Sequence, residues 1–249
     1  MKIFYFTSTG NSLYVAKKIG GELYSIPRVL KEGTREFAAE AIGFVFPCYF
    51  FGLPRIVAEF MEKTKFQANY SFAIITCGKM TAASLNQLEE LGAKAGLKFD
   101  YTDQIAMIDN YLPLFNENQL RTEPGKNIEG CLEKIVRDIQ SRKTSLTRKG
   151  LATRTMSRAF HFFYNFGLDN KDEKFIVHDT CNGCQICEKV CPKNNILVNG
   201  KPEFLHSCDS CYACAHHCPQ NAIHHKSERS KLRFINQNIT LKEIIDSNN

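Results

Sequence analysis

Along roughly its first 140 residues the chain alternates short apolar runs with stretches whose apolar residues return every three or four positions. Residues 3–6 form the first apolar run, which gives way to Thr7, Ser8, Thr9, Gly10, Asn11 and Ser12, a strand feeding a polar turn. Leu13, Ala16 and Ile19, with Val15 beside them, then recur at helical spacing while Lys17 and Lys18 face away, so the first unit reads strand, loop, helix. A second short strand is expected over 22–26, and 41–46 is a buried strand ending at Pro47. The next helix starts near Pro54, where a first turn tolerates proline, and runs to about Met61. The strand at 70–77 is followed, after Gly78, by a helix carrying Leu85, Leu88, Leu91 and Ala95. A fifth strand falls within 97–108, its start blurred by Asp100, Thr102, Asp103 and Gln104. The last helix of this region, about 125–142, carries Ile128, Leu132, Ile135, Val136 and Ile139. Five strands with intervening helices predict an α/β domain over residues 1–142, a doubly wound, mostly parallel five-stranded sheet with helices on both faces.

Residues 143–174 break the alternation. Arg148, Lys149, Arg154 and Arg158 accompany Phe160, Phe162, Phe163, Tyr164 and Phe166, more rings than a free linker needs. The expectation is a basic, aromatic-rich helical connector whose rings pack on a neighbouring domain; a basic amphipathic patch for a membrane surface is the lesser alternative. A small α+β module, residues 175–249, begins near Phe175 and ends in a short helix over Ile239, Leu241, Ile244 and Ile245.

The 249 residues suffice for one ordinary domain and a smaller module, and 43% hydrophobic with 23% charged residues is a folding composition. The formal charge of +6 comes from Lys and Arg spread along the chain without a zinc-finger or helix-turn-helix pattern, so nucleic acid is not an expected partner. There is no signal-peptide succession at Met1 and no run of 18 apolar residues, which makes the cytoplasm the expected location. Of eleven cysteines, eight fall between residues 181 and 218, a crowding that fits metal binding in a reducing compartment better than disulfides.

Cys181, Cys184, Cys187 and Cys191 follow C-x2-C-x2-C-x3-C and precede Pro192; Cys208, Cys211, Cys214 and Cys218 repeat the pattern before Pro219. Soft thiolates suit iron, whereas zinc sites usually separate their ligand pairs by a longer loop. In paired runs the fourth cysteine serves the other cluster, so Cys218 would join Cys181, Cys184 and Cys187, and Cys191 would join Cys208, Cys211 and Cys214. Over about 175–226 the chain resembles the bacterial two-cluster ferredoxins. The resemblance implies two 4Fe-4S clusters in a pseudo-symmetric module whose backbone N–H groups point at the sulfurs, with Tyr212 shielding the second cluster. His206, His216, His217, His224 and His225 are expected at the surface or just behind the ligands.

The run from Thr7 to Ser12 combines hydroxyls, a tight turn and a helix N-terminus, a site for a terminal phosphate. It lacks both the lysine of a triphosphate loop and the GxGxxG of a dinucleotide loop, which favours a monophosphate. Residues 1–142 here resemble the flavodoxins. The resemblance implies FMN, its phosphate held at Ser8, Thr9, Gly10, Asn11 and Ser12. Its ring would lie between a loop with Pro47, Cys48, Tyr49, Phe50, Phe51 and Gly52 and a loop with Thr76, Cys77, Gly78, Lys79 and Met80. Tyr49 is the first choice for stacking and Phe50 the second, while Tyr111, after Asp109 and Asn110, closes the site; core packing is the plain alternative for each ring. Cys48 and Cys77 have no metal role, and Cys131 is a helix core residue. Flavodoxins are usually acidic and this region is not, so an acidic docking face is not assumed.

The whole arrangement, including the segment Asp109, Asn110, Tyr111, Leu112 and Pro113, resembles the flavodoxin and ferredoxin fusion proteins of anaerobic prokaryotes. The resemblance implies electron transfer between FMN and the two clusters, and to or from a redox protein acting as donor or acceptor. An alternative is a flavin-dependent oxidoreductase that reduces a small-molecule acceptor with electrons supplied through the clusters; a third is a protein whose clusters only stabilise its fold. None of these readings assigns a catalytic residue, since Ser8 and Ser12 are better phosphate donors than nucleophiles.

Overall fold

The computed structural model describes residues 1–79, 81, 84–147, 155 and 171–248. Its larger part is a six-stranded sheet in the order β2-β1-β3-β4-β5-β6, every pairing parallel. The strands are β1 (Lys2–Tyr5), β2 (Glu22–Ser25), β3 (Glu36–Pro47), β4 (Lys65–Cys77), β5 (Tyr101–Ala106) and β6 (Ser145–Leu146). Between them run α1 (Asn11–Ile19), α2 (Ile26–Glu32), α3 (Arg55–Lys63), α4 (Ser84–Lys94), α5 (Glu117–Arg121) and α6 (Ile128–Gln140).

The side-chain alternation of the strands decides which helix lies on which face. Ile3, Tyr5, Val45, Phe72 and Ile74 point to one core, filled by Leu13, Val15 and Ile19 of α1 and by Leu132, Ile135 and Ile139 of α6. Phe4, Phe44, Phe46, Ala73 and Ile75 point to the other, filled by Ile26 and Val29 of α2, Ile56 and Phe60 of α3, and Leu85 and Leu88 of α4. This is the flavodoxin-like parallel sheet.

Three expectations are corrected. The sheet has six strands, not five: β6 pairs with β5 through Tyr101↔Ser145 and Thr102↔Leu146 and carries the sheet past residue 142. Two residues give no readable alternation. Helix α2 is an addition; its seven residues hold Pro27 in the first turn and end at Gly33, φ 80°, too short for periodicity to stand out. Strands β3 and β4 begin well before their apolar runs, because they pair in one register from Glu36↔Lys65 to Pro47↔Thr76 and their polar early halves have exposed sides. The aromatic group at 160–166 lies outside the described residues.

Gly43 sits opposite Phe72 in the β3–β4 register, and a Cβ there would stand 2.1 Å from the Phe72 ring. Gly43→Ala is therefore expected to destabilise the sheet domain by about 3 kcal/mol, through displacement of a fully buried ring. A urea midpoint unmoved by the substitution would show that the ring yields without cost.

The smaller part pairs β7 (Phe175–Val177) with β10 (Ile223–His225) and β8 (Ile196–Asn199) with β9 (Lys201–Phe204), both antiparallel. Two short helices, α7 (Ile186–Lys189) and α8 (Ala213–His216), start inside the cysteine runs. The sequence repeat is repeated in the backbone. Gly183 and Ser210, Gln185 and Tyr212, and Asn194 and Asn221 occupy equivalent places and share positive φ, from 44° to 70°. These small sheets and helices form the ferredoxin-like module.

The final helix α9 (Leu241–Asn248) packs back on the sheet domain. Ile244 joins the core of β1 and α1, Tyr5 Oη meets Ser247 Oγ at 2.8 Å, and Lys17 pairs with Glu243. Asn248 reaches the module as well, donating to Val190 O at 3.1 Å.

Candidate cofactor sites

The carboxyl ends of β1, β3, β4 and β5 surround a cavity of about 430 Å³. Its first wall is the polar loop, from which Thr7, Ser8, Thr9, Asn11 and Ser12 line the space. Gly10, φ 100°, does not line it; it turns the chain into α1 from the outer side. The α1 N–H groups from Asn11 to Leu13 precede the first intrahelical bond, from Tyr14 N–H to Gly10 O, and so belong to the donors a helix leaves for an anion.

The second wall is a tight turn at 49–52. Tyr49 and Gly52 exchange both backbone hydrogen bonds, at 3.0 and 2.9 Å, across Phe50 and Phe51 at φ 46° and 64°. Positive φ at both central positions belongs to a turn that normally takes Asn-Gly, and two bulky residues there cost about 1–2 kcal/mol each. Strain of this kind gathers at functional sites. Pro47, Tyr49 and Phe50 line the cavity; Gly52 closes the turn without lining it. The Tyr49 hydroxyl donates to Ser8 Oγ at 3.3 Å, tying the turn to the polar loop.

Cys77, Gly78, Lys79 and Tyr111 complete the expected set, all lining the cavity. Lys126 holds the ends of β4 and β5 together by donating to Gly78 O and Met107 O, and burial moves its pKa down. Thr7, Thr76, Asp109, Asn110 and Leu114 also face the space. So do Ser210, Cys211 and Tyr212 from the second cysteine run. No local signal announces these last three. Phe50, Tyr111 and Tyr212 form a chain of edge-to-face rings, 5.0 and 5.6 Å between centroids, from the turn to that run.

The eight cysteines divide into two quartets. Cys181, Cys184, Cys187 and Cys218 line one small hollow; Cys191, Cys208, Cys211 and Cys214 line another. Backbone N–H groups point at the sulfurs: Asn195 to Cys191 at 3.3 Å, Ser210 to Cys208 at 3.3 Å and Ala222 to Cys218 at 3.2 Å. Burial, with the neighbouring thiols adding to it, pushes Cys187 and Cys208 up to about 12. Four thiolates about one hollow would need cations among them, which iron would supply. Among the described residues no three His, Cys, Asp or Glu side chains gather closely enough for a single metal ion. Four cysteines lining each hollow are the donor set that a four-iron core would use. Likewise the polar loop, helix N-terminus and aromatic walls fit a flavin monophosphate.

His216, His217 and His225 are buried. His216 accepts the Phe234 N–H at Nδ1, 3.1 Å, and so donates from Nε2 to Asn110 O at 2.8 Å. Burial pushes its pKa down to about 3. His217 donates from Nε2 to Ser8 O at 2.9 Å, with burial lowering its pKa as well. The second cysteine run is thus bonded to two of the cavity's loops. His206, by contrast, is exposed, its Nδ1 on the buried Asp172 at 2.8 Å.

The structure, a flavodoxin-like parallel sheet followed by a ferredoxin-like module, is consistent with an electron-transfer fold. Residues 174–197 match the 4Fe-4S binding domain family. No curated protein matches the chain significantly. Among solved structures the chain is similar to the Trp repressor binding protein from Bacillus subtilis, at 16% identity and a TM-score of 0.34, over 60% of this chain and 99% of that one. Among the described residues no helix is long and apolar enough to cross a membrane.

Proposed function

We propose that the chain binds one FMN in the cavity and two 4Fe-4S clusters in the thiol quartets, and carries electrons among them and to a redox protein, its donor or acceptor. One observation supports this reading above the rest: Cys211, a member of the second quartet, and Tyr212 beside it line the same cavity as Ser8, Tyr49 and Gly78. A flavin there and a cluster in that quartet would be next neighbours. When bound, the flavin supplies two-electron capacity taken up in single steps, and each cluster supplies one-electron exchange.

The chain's own residues bind, orient and exclude water. Thr9, Ser12 and the start of α1 receive the phosphate; Phe50 and Tyr111 flank the ring's side of the cavity; Lys126 keeps Gly78 in place beside it. Tyr212 is 6% exposed and stands between cavity and quartet, which keeps water out of that gap. Cys184, the exposed member of the first quartet, marks the side from which an external partner would exchange electrons. Exposed thiol ligands and clusters of this type suit the reducing cytoplasm.

The test is anaerobic purification with flavin analysis, followed by rapid mixing with a limiting one-electron reductant. Flavin and cluster bands are expected to change together, at a rate independent of protein concentration. Exchange that scales with protein concentration would mean that electrons pass only between separate molecules, and the internal path would be wrong.

A further inference from the structure

The outer side of the polar loop is covered by a segment 225 positions away in the chain. Asn236 donates its backbone N–H to Thr9 O at 2.8 Å and its side-chain Nδ2 to Asn11 Oδ1 at 3.0 Å. Its own Oδ1 accepts the Asn238 N–H at 3.0 Å, which fixes the amide's orientation. Asn11 passes the restraint on, donating from Nδ2 to Ile108 O at the end of β5, 3.2 Å away. The contact is close: a Cβ at Gly10 would stand 3.0 Å from the Cβ atoms of both Asn236 and Ile239.

These bonds act on the loop's peptide planes. His217 holds the carbonyl of Ser8 and Asn236 holds the carbonyl of Thr9, and neither partner lines the cavity. In a trans peptide the N–H points opposite to the carbonyl. The N–H of Thr9 is therefore turned away from His217, while that of Gly10 is taken up by Thr7 Oγ1 at 3.1 Å. With the N–H groups that open α1, the Thr9 N–H makes up the donors an anion would meet here.

We propose that Asn236 is a positioning residue for the flavin's terminal phosphate, acting through Thr9 and Asn11. Flavin affinity is then set in part by a segment that follows the cluster module. The assignment rests on the reading of the cavity as an FMN site.

Riboflavin, which has the ring and lacks the phosphate, separates positioning from general stability. Full-length, cluster-loaded protein freed of flavin is titrated with FMN and with riboflavin, following flavin fluorescence, for the wild type, Asn236→Ala and Asn236→Asp. Asn236→Ala keeps the backbone bond to Thr9 and is expected to bind FMN about tenfold more weakly with riboflavin unchanged. Asn236→Asp sets a carboxylate against Asn11 Oδ1 near the phosphate, and should lose more FMN affinity than Asn236→Ala, again sparing riboflavin. Unchanged iron content in both variants confirms that the module has folded. Equal losses for the two ligands, or no loss for FMN in either variant, overturns the assignment. A wild-type chain that takes neither flavin overturns the cavity reading and this assignment with it.

Discussion

Replacing Cys191 by Ala should remove about half of the roughly eight irons expected per chain, and the half lost should belong to the second cysteine run. Cys191 lies in the first run, four residues beyond Cys187, yet it lines the hollow of Cys208, Cys211 and Cys214. The hollow of Cys181, Cys184 and Cys187 is closed by Cys218. Each run would therefore hold the other through its last cysteine, and loss of one thiol would deprive a four-iron core of one of its four sulfur ligands. Iron and sulfide analysis with low-temperature magnetic spectra on anaerobically reconstituted protein checks this. Cys191→Ala and Cys208→Ala should leave the same residual spectrum, and Cys181→Ala a different one. If Cys191→Ala instead resembles Cys181→Ala, the crossed arrangement is wrong. Stoichiometric zinc in native anaerobic protein would remove the iron assignment altogether.

The double variant Thr9→Ala with Ser12→Ala is expected to bind FMN roughly 100-fold more weakly while both clusters still assemble. Thr9 Oγ1 accepts the Asn110 amide, which leaves its hydroxyl proton for a phosphate oxygen. Ser12 Oγ lies 2.9 Å from Thr76 Oγ1, so Thr76 can donate to Ser12 and direct the Ser12 proton inward. A hydrogen bond to a charged oxygen is worth about 1.5 kcal/mol at the lower end, and two such bonds make about 3 kcal/mol, the stated factor. Neither hydroxyl belongs to a thiol hollow, so iron content should not change. Equal FMN affinity of the folded double variant would place the phosphate elsewhere.

Both substitutions fall on residues that could be chosen before any coordinates were known, and the reason is range. The first strand, polar loop and helix are consecutive, so alternation, turn residues and helical spacing describe them from residues 2–19 alone. The cysteine runs are local in the same sense, and their equal spacing returns in the structure as equal backbone turns at Gln185 and Tyr212. Even the doubly wound sheet follows from short apolar runs that take turns with helix-spaced stretches. Strand β6 and helix α2 were hidden because two and seven residues are too few to carry a period.

What lay beyond the reach of local pattern is how the second cysteine run and the chain's end meet the first domain. Nothing around Ser210, Cys211 and Tyr212 indicates that they face the loops after β1, β3 and β4, and nothing near Phe234 indicates that it bonds His216. His216 and His217 read as ordinary polar positions, and only burial against Asn110 and Ser8 turns them into links between cluster run and cavity. Asn236 reads as a loop residue until its amide meets Asn11. Composition and spacing determine which chemistry the residues can perform, since ligand type and local backbone shape are properties of neighbouring positions. Which sites adjoin depends on contacts between segments some 100 to 225 positions apart, and those form only when apolar faces such as Val190, Ala213 and Ile244 are buried against the core of β1 and α1.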